Sequence, residues 1–313
     1  MMVYLLIGMN EGFRGMNSTC SSKTLVCFQS IVRYFKCGYS NSRRLRKMKN
    51  LMLLEWKKVK WPVLIVLLVA TAASMILSST LYKGYSLEYD LEAWEVGMDY
   101  LNFLFPLIAS LPVGWLMYYE RKDNFIIYTL PRVSKRKYLL SKWIVLAGSA
   151  GVTMFIVMFV GVLTALYLKP EIIPDLSQVD PITGELISSI LSDHFMGELF
   201  ANHPVIYGLL ISVWRGALAG IIATLAFVLS LYVENLFVIL TGPFIYEILE
   251  NFILSVLGIP EYRLATSFGQ GGGLDLTDIN KLSLAVGPLL LILFISILVF
   301  YFKRIKKMTV YPS

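Results

Sequence analysis

The sequence predicts an all-α integral membrane protein: six transmembrane helices preceded by a short N-terminal interfacial helix, with both termini in the cytoplasm. Three observations carry this. Apolar residues make up 57% of the chain and charged residues 16%, a balance outside the range of soluble proteins. The apolar residues gather into six long runs, each near the roughly 20 residues a helix needs to cross hydrocarbon. Lys and Arg, finally, are concentrated in alternate loops.

The first run extends from Pro62 to Tyr82, the second from Met98 to Tyr119, and the third, Trp143 to Leu168, is long enough to tilt. The fourth occupies Pro204 to Val233 and the fifth Leu236 to Leu257, with only Glu234 and Asn235 between them, which predicts a tight helical hairpin. The sixth runs from Leu284 to Phe302. From Met48 to Trp61, Met52, Trp56 and Val59 share one helical face while Lys57 and Lys58 lie elsewhere. This pattern predicts a short helix along the cytoplasmic leaflet that turns at Pro62 into the first span, the alternative being a simple cytoplasmic extension of that span.

Orientation follows from the short loops, because cytoplasmic loops carry the excess of Lys and Arg. Arg43, Arg44, Arg46, Lys47, Lys49, Lys57, Lys58 and Lys60 precede the first span. Arg121, Lys122, Arg132, Lys135, Arg136, Lys137 and Lys142 separate the second from the third, and Lys303, Arg304, Lys306 and Lys307 follow the sixth. The alternate loops hold only Lys83, Lys169, Arg263 and Lys281, so nineteen basic residues face four. Acidic residues from Glu88 to Asp99 and from Glu171 to Glu198 lie on the poor side. The net charge of +7 is thus a topology signal, and nothing in it resembles the basic face of a nucleic-acid binder.

Residues 1–47 lack sustained periodicity and contain all three cysteines, Cys20, Cys27 and Cys37, at spacings that fit neither a zinc module nor a redox pair. They read either as a poorly structured cytoplasmic tail or as sequence upstream of a natural start at Met48. The abrupt regularity after Met48 favours the second. The six-helix transmembrane domain is 48–313.

No catalytic constellation is expected. The sequence contains no HExxH, no phosphate loop and no aspartate pair at membrane depth. His194 and His203 read as ordinary polar residues, and the glycines of Phe268 to Asp275 as a flexible turn; no metal is expected. Charges inside apolar runs cost about 2.5–3.5 kcal/mol each on insertion scales, which singles out Arg215, Glu247 and Glu250. Arg215 lies eleven residues from Pro204, and Glu247 eleven from Leu236, each about 16 Å along a helix. The matched depth predicts an Arg215–Glu247 pair across the hairpin, either structural or part of a polar path, with Pro243 able to kink the fifth span.

The segment from Tyr118 to Trp143, YYERKDNFIIYTLPRVSKRKYLLSKW, resembles the corresponding part of permease subunits of ABC-2-type transporters. The matching residues are Glu120-Arg121, Leu130-Pro131, Ser134-Lys135-Arg136 and Lys142, whereas Asn124-Phe125 stand where that family often has Gly-Thr. Leu229 to Glu247 is also similar to that family's fourth-to-fifth span region, with Asn235 and Pro243 in the expected places. The resemblance implies a non-enzymatic permease of an exporter, itself a homodimer or heterodimer in a bacterial plasma membrane. It implies no cofactor on this chain and a separate ATPase partner that uses ATP. The Glu120–Lys142 loop is then the coupling element, with Phe125 to Tyr128 as an apolar docking face. A different class of reading is a non-transporting sensor, immunity or assembly protein that binds through the acidic 169–203 loop. An ion-coupled carrier using Glu247 and Glu250 would need internal repeats, and none is visible.

Overall fold

The computed structural model describes residues 22–123, 134–170, 172, 178–179, 186–187, 196–268 and 281–305. The chain divides into two compact units, Met1–Asn50 and Leu51–Ser313, and the account below concerns the second. Its elements are α1 (Ser22–Thr80, of which the part from Leu51 belongs here), α2 (Glu92–Phe103), α3 (Phe105–Ser110) and α4 (Trp115–Lys122). They continue with α5 (Lys135–Leu163, closing in a π turn at Thr164–Leu168), α6 (Gly197–Asn202), α7 (Pro204–Tyr232), α8 (Leu236–Val256) and α9 (Lys281–Phe300). The only strands among the described residues are a two-residue antiparallel pair, with Gln178 opposite Ile187 and Val179 opposite Leu186.

Among the described residues, five helical stretches are long and apolar enough to cross a membrane: Met48–Gly84, Arg136–Leu168, Pro204–Tyr232, Leu236–Val256 and Ser283–Arg304. The second expected span is built differently, as the succession α2, α3 and α4. Pro106 opens α3, and Pro112 and Gly114 fall between α3 and α4. Each proline removes a backbone donor and crowds the carbonyl four residues back, and here the helix is interrupted at Leu104 and again over 111–114.

The expected turn at Pro62 is corrected: α1 passes through Pro62 without interruption, so residues 51–61 extend the first span and do not form a separate interfacial helix. The reason lies in the buried positions. Glu55, Val59, Val63, Ala70, Ser74 and Ser78 are all buried and recur at intervals of four and seven, one stripe running straight past the proline. Packing of that stripe offsets the one hydrogen bond that Pro62 cannot make. The predicted hairpin is present, with Val233, Glu234 and Asn235 joining α7 to α8 and the Asn235 side chain capping α8 by accepting from the Phe237 amide at 2.9 Å.

The longest interface pairs α5 with α7. A Cβ added at Gly151 would lie 2.9 Å from the Gly216 carbonyl oxygen, and one at Gly216 would lie 2.9 Å from that of Gly151. The two backbones touch there because neither residue has a side chain, the close approach that small residues permit between helices in lipid. Two apolar cores flank this crossing. One gathers Trp94, Met98, Phe105, Met158, Tyr207 and Phe268, and the other Val59, Met117, Leu146, Ala223 and Phe227. Phe237, Leu249, Phe252, Leu289, Leu293 and Ile297 of α8 and α9 face outward, an apolar surface that suits lipid.

Candidate functional site

The most highly charged buried cluster lies where α1, α4 and α5 meet. Lys142 is wholly buried, and its Nζ lies 2.6 Å from Glu55 Oε2 and 2.5 Å from Glu120 Oε2. Lys58 Nζ closes the cluster, 2.7 Å from Glu120 Oε1 and 3.5 Å from Glu55 Oε1. Tyr138, one turn before Lys142 on α5, donates its hydroxyl to Glu120 Oε2 at 2.5 Å, and its ring lies 4.9 Å from the Lys142 ammonium. Two carboxylates and two ammonium groups make the cluster neutral, the condition under which buried charges are tolerated. Burial by itself raises the Glu120 carboxyl, but the Lys142 charge and the hydrogen bonds from Lys142, Lys58 and Tyr138 outweigh it and hold the group below its usual value.

Arg121, the next residue, turns the other way. Its Nη1 donates to the carbonyls of Ser230 and Val233 at 3.2 and 3.4 Å, and Nη2 lies 3.7 Å from the exposed Glu234 carboxylate. These carbonyls end α7, where a helix leaves acceptors unsatisfied and favours a cation. The Glu120-Arg121 dipeptide therefore locks α4 to α1 and α5 on one side and to the α7–α8 hairpin on the other. A second buried cation works at the far end of α5: Lys169 pairs with Asp90 and lies 5.4 Å over the Tyr82 ring.

Three of the residues expected in a coupling loop thus face inward. Glu120 and Lys142 are buried in the ion-pair cluster and Arg121 is half-buried against α7. Ser134 and Arg136 are exposed where α5 begins. Lys135 lies in the helix, and Leu130 and Pro131, like Phe125 to Tyr128, lie outside the described residues, as do the glycines at 269–273 and His194. Glu55 was not among the expected residues. Its signal in the sequence was an acidic residue inside a basic segment, on the same stripe as Val59.

The intramembrane charges are arranged as follows. Arg215 is fully buried. Its Nε donates to the Phe268 carbonyl at 2.8 Å, its Nη1 lies 3.3 Å from Met158 Sδ, and its guanidinium lies 4.9 Å from the Trp94 ring centre. The adjacent Trp214 donates Nε1 to the Ser267 carbonyl at 2.7 Å. Both serve the segment Pro260 to Phe268, two short 3-10 turns joined by Arg263 to Ala265, which folds back among α7, α8 and α9. Its last residues, Thr266, Ser267 and Phe268, are buried, and irregular backbone away from water is stable only where such partners reach it. Glu250 belongs to the same arrangement, its two oxygens accepting from the Leu264 amide at 3.1 and 3.0 Å.

The expected Arg215–Glu247 ion pair is not formed; the ion pairs among the described residues join other partners. Arg215 faces α2 and α5, whereas Glu247 faces a cavity of about 350 Å³ on the other side of Phe268. Among the described residues no group of three or more His, Cys, Asp or Glu is placed to hold a metal ion.

A family model described as ABC-2 family transporter protein matches residues 51–232, from Leu51 in α1 to the end of α7. Searches of curated proteins and of solved structures gave no match.

Proposed function

Because the chain belongs to the ABC-2 transporter family, a multi-pass membrane permease family, we propose that it is the membrane-spanning subunit of an ATP-driven exporter in a bacterial plasma membrane. A separate ATPase subunit hydrolyses ATP, and this chain binds no cofactor. It crosses the bilayer six times with both ends inside, and it works as a dimer of permeases.

The sixth crossing is the jointed run from Met98 in α2 to Tyr119 in α4. A side chain on Gly161 of α5 would meet the Trp94 ring at 3.0 Å, and Glu120 meets α5 at Lys142. Those two points on α5 are nineteen residues apart, about 28 Å at the helical rise, close to the roughly 30 Å hydrocarbon thickness. The run therefore accompanies α5 through the membrane.

The observation that carries the coupling role is the neutral ion-pair cluster at the two ends of the 123–134 loop. Glu120 enters the loop and Lys142 follows it, and Lys142 bridges Glu120 to Glu55 of α1. A soluble partner bearing on the loop therefore acts on three helices at once, and through Arg121 on the α7–α8 hairpin.

Leu130→Ser with Pro131→Ser alters the apolar surface and the local turn of the loop while leaving its charges unchanged. Insertion and expression should be preserved, and co-purification of the ATPase or its stimulated hydrolysis should weaken. Unchanged binding and hydrolysis would leave the loop with only a topological role.

A further inference from the structure

The cavity beside Glu247 lies between α2, α8 and the fold-back segment, and its wall includes Asp99, Asn102, Phe103, Glu247, Asn251 and Phe268. Its volume of about 350 Å³ falls in the range of small-molecule sites. Glu247 is 7% exposed, yet it makes no hydrogen bond or ion pair among the described residues. Its nearest acidic neighbour in the sequence, Glu250, is by contrast satisfied by the Leu264 amide. An anion-forming side chain, buried and unpartnered on a cavity wall, lacks the compensation that the buried carboxylates Glu55, Glu120 and Glu250 find. The other carboxylate of the cavity, Asp99, comes from a different helix and forms no ion pair among the described residues.

We propose that this cavity binds an organic cation, an ammonium or guanidinium group carried on an apolar body, held by Glu247 and Asp99 against the rings of Phe103 and Phe268. As an assignment of the cargo class it rests on the permease reading. The chemistry of the wall selects this ligand over a metal ion. A hard divalent cation takes six or more oxygens. Only two carboxylates are present here, and the Asn251 oxygen already accepts from Arg263 Nη1 at 2.9 Å. An ammonium needs three acceptors at most and gains from aromatic faces. Phe103 is held edge-to-face against Phe244, with ring centres 5.3 Å apart, and Phe268 is buried and fixed through its carbonyl by Arg215. The aromatic walls are therefore positioned before any ligand arrives.

The test uses the full chain in lipid nanodiscs without any ATPase. Isothermal titration compares 4-phenylbutylammonium with 4-phenylbutanol, which has the same body and no charge. The cation should bind at least tenfold more tightly. Glu247→Gln, isosteric and neutral, should erase about ten- to a hundredfold of the cation's affinity, the range for a hydrogen bond to a charged group, and leave the alcohol unchanged. Asp99→Asn, at an exposed position, should weaken the cation in the same direction and serves if Glu247→Gln does not fold. Equal binding of cation and alcohol, undiminished cation binding in a folded variant, or displacement of the probe by millimolar calcium or sodium would each overturn the proposal. Because no ATPase is present, failure here leaves the permease reading standing, and failure to recover an ATPase partner leaves the cavity assignment standing.

Discussion

Replacing Lys142 with methionine keeps the length of the side chain and removes its charge from the α1–α4–α5 cluster. Glu55 and Glu120, both buried, are then left facing each other with Lys58 as the sole counter-charge. Removing one partner of a buried pair costs about 3–5 kcal/mol in soluble proteins. Lys58 stays within 2.7 Å of Glu120 and 3.5 Å of Glu55, but its side chain is 35% exposed, so it compensates in part and the lower figure applies. A loss of about 3 kcal/mol is a roughly 150-fold shift in the folded-to-unfolded ratio. Equilibrium unfolding by SDS in mixed micelles, followed by tryptophan fluorescence, measures it. Adding Glu120→Gln to Lys142→Met leaves one carboxylate and one ammonium, a neutral cluster again, and should restore about half of the loss. A single-variant loss below about 1 kcal/mol, or strictly additive losses in the pair, would refute the coupling of these charges.

At the α5–α7 crossing, Gly216→Ala places a methyl 2.9 Å from the Gly151 carbonyl oxygen and 3.3 Å from Phe155 Cβ. It should destabilise the protein by about 1–3 kcal/mol in the same assay, whereas Gly148→Ala, with nothing within 4 Å, should be nearly silent. Burial raises the Glu92 carboxyl from 4.5 to about 7, against the lowering effect of the Tyr89 and Glu88 amides that it accepts from. A raised carboxylate contributes stability that is complete below pH 4.5 and is lost as pH rises through about 7. The thermal midpoint should therefore fall across that window, and Glu92→Gln should flatten the fall; an unchanged slope in the variant would contradict the assignment. For orientation, cysteines introduced at Glu92 and Asp180 should react with an impermeant thiol reagent in sealed cells and one at Lys137 should not. Labelling at Lys137 would overturn the inside placement of the loop.

The apolar runs and the tight hairpin around Glu234 were legible from residue order alone, because span length and capping chemistry are local properties, and the Glu120-Arg121 dipeptide was legible as a resemblance to ABC-2 permeases. The direction of the dipeptide was not. A basic loop reads as a surface for a partner, and only the packing of α1 against α5 shows that Glu120 and Lys142 are spent on each other and on Glu55. The Arg215–Glu247 expectation failed for a related reason. Equal depth fixes position along the membrane normal, whereas pairing also requires two helices to turn the residues toward each other. Arg215 instead meets a carbonyl of Phe268, in a segment that has no periodicity to announce it. Pro106 and Pro112 were visible but were absorbed into one long apolar run, since apolar composition alone does not distinguish a rod from a chain of short rods. At Pro62 the error had the opposite sign: a proline does not break a helix whose buried stripe continues on both sides.

That contrast between rods bears on how far a push at the 123–134 loop can travel. Helix α5 is an unbroken shaft of 29 residues, about 44 Å long, so tilting its lower end swings its upper end, with Lys169 and the Asp90 anchor, through a proportionate arc. The neighbouring run that enters the loop from the other side has joints at Leu104 and at residues 111–114, where the helical ladder is interrupted. Displacement of Lys122 is dissipated in those joints before it reaches Glu92. The loop is thus clamped between a lever and a linkage, and the lever's far end is fastened beside the start of α2 through Lys169 and Asp90.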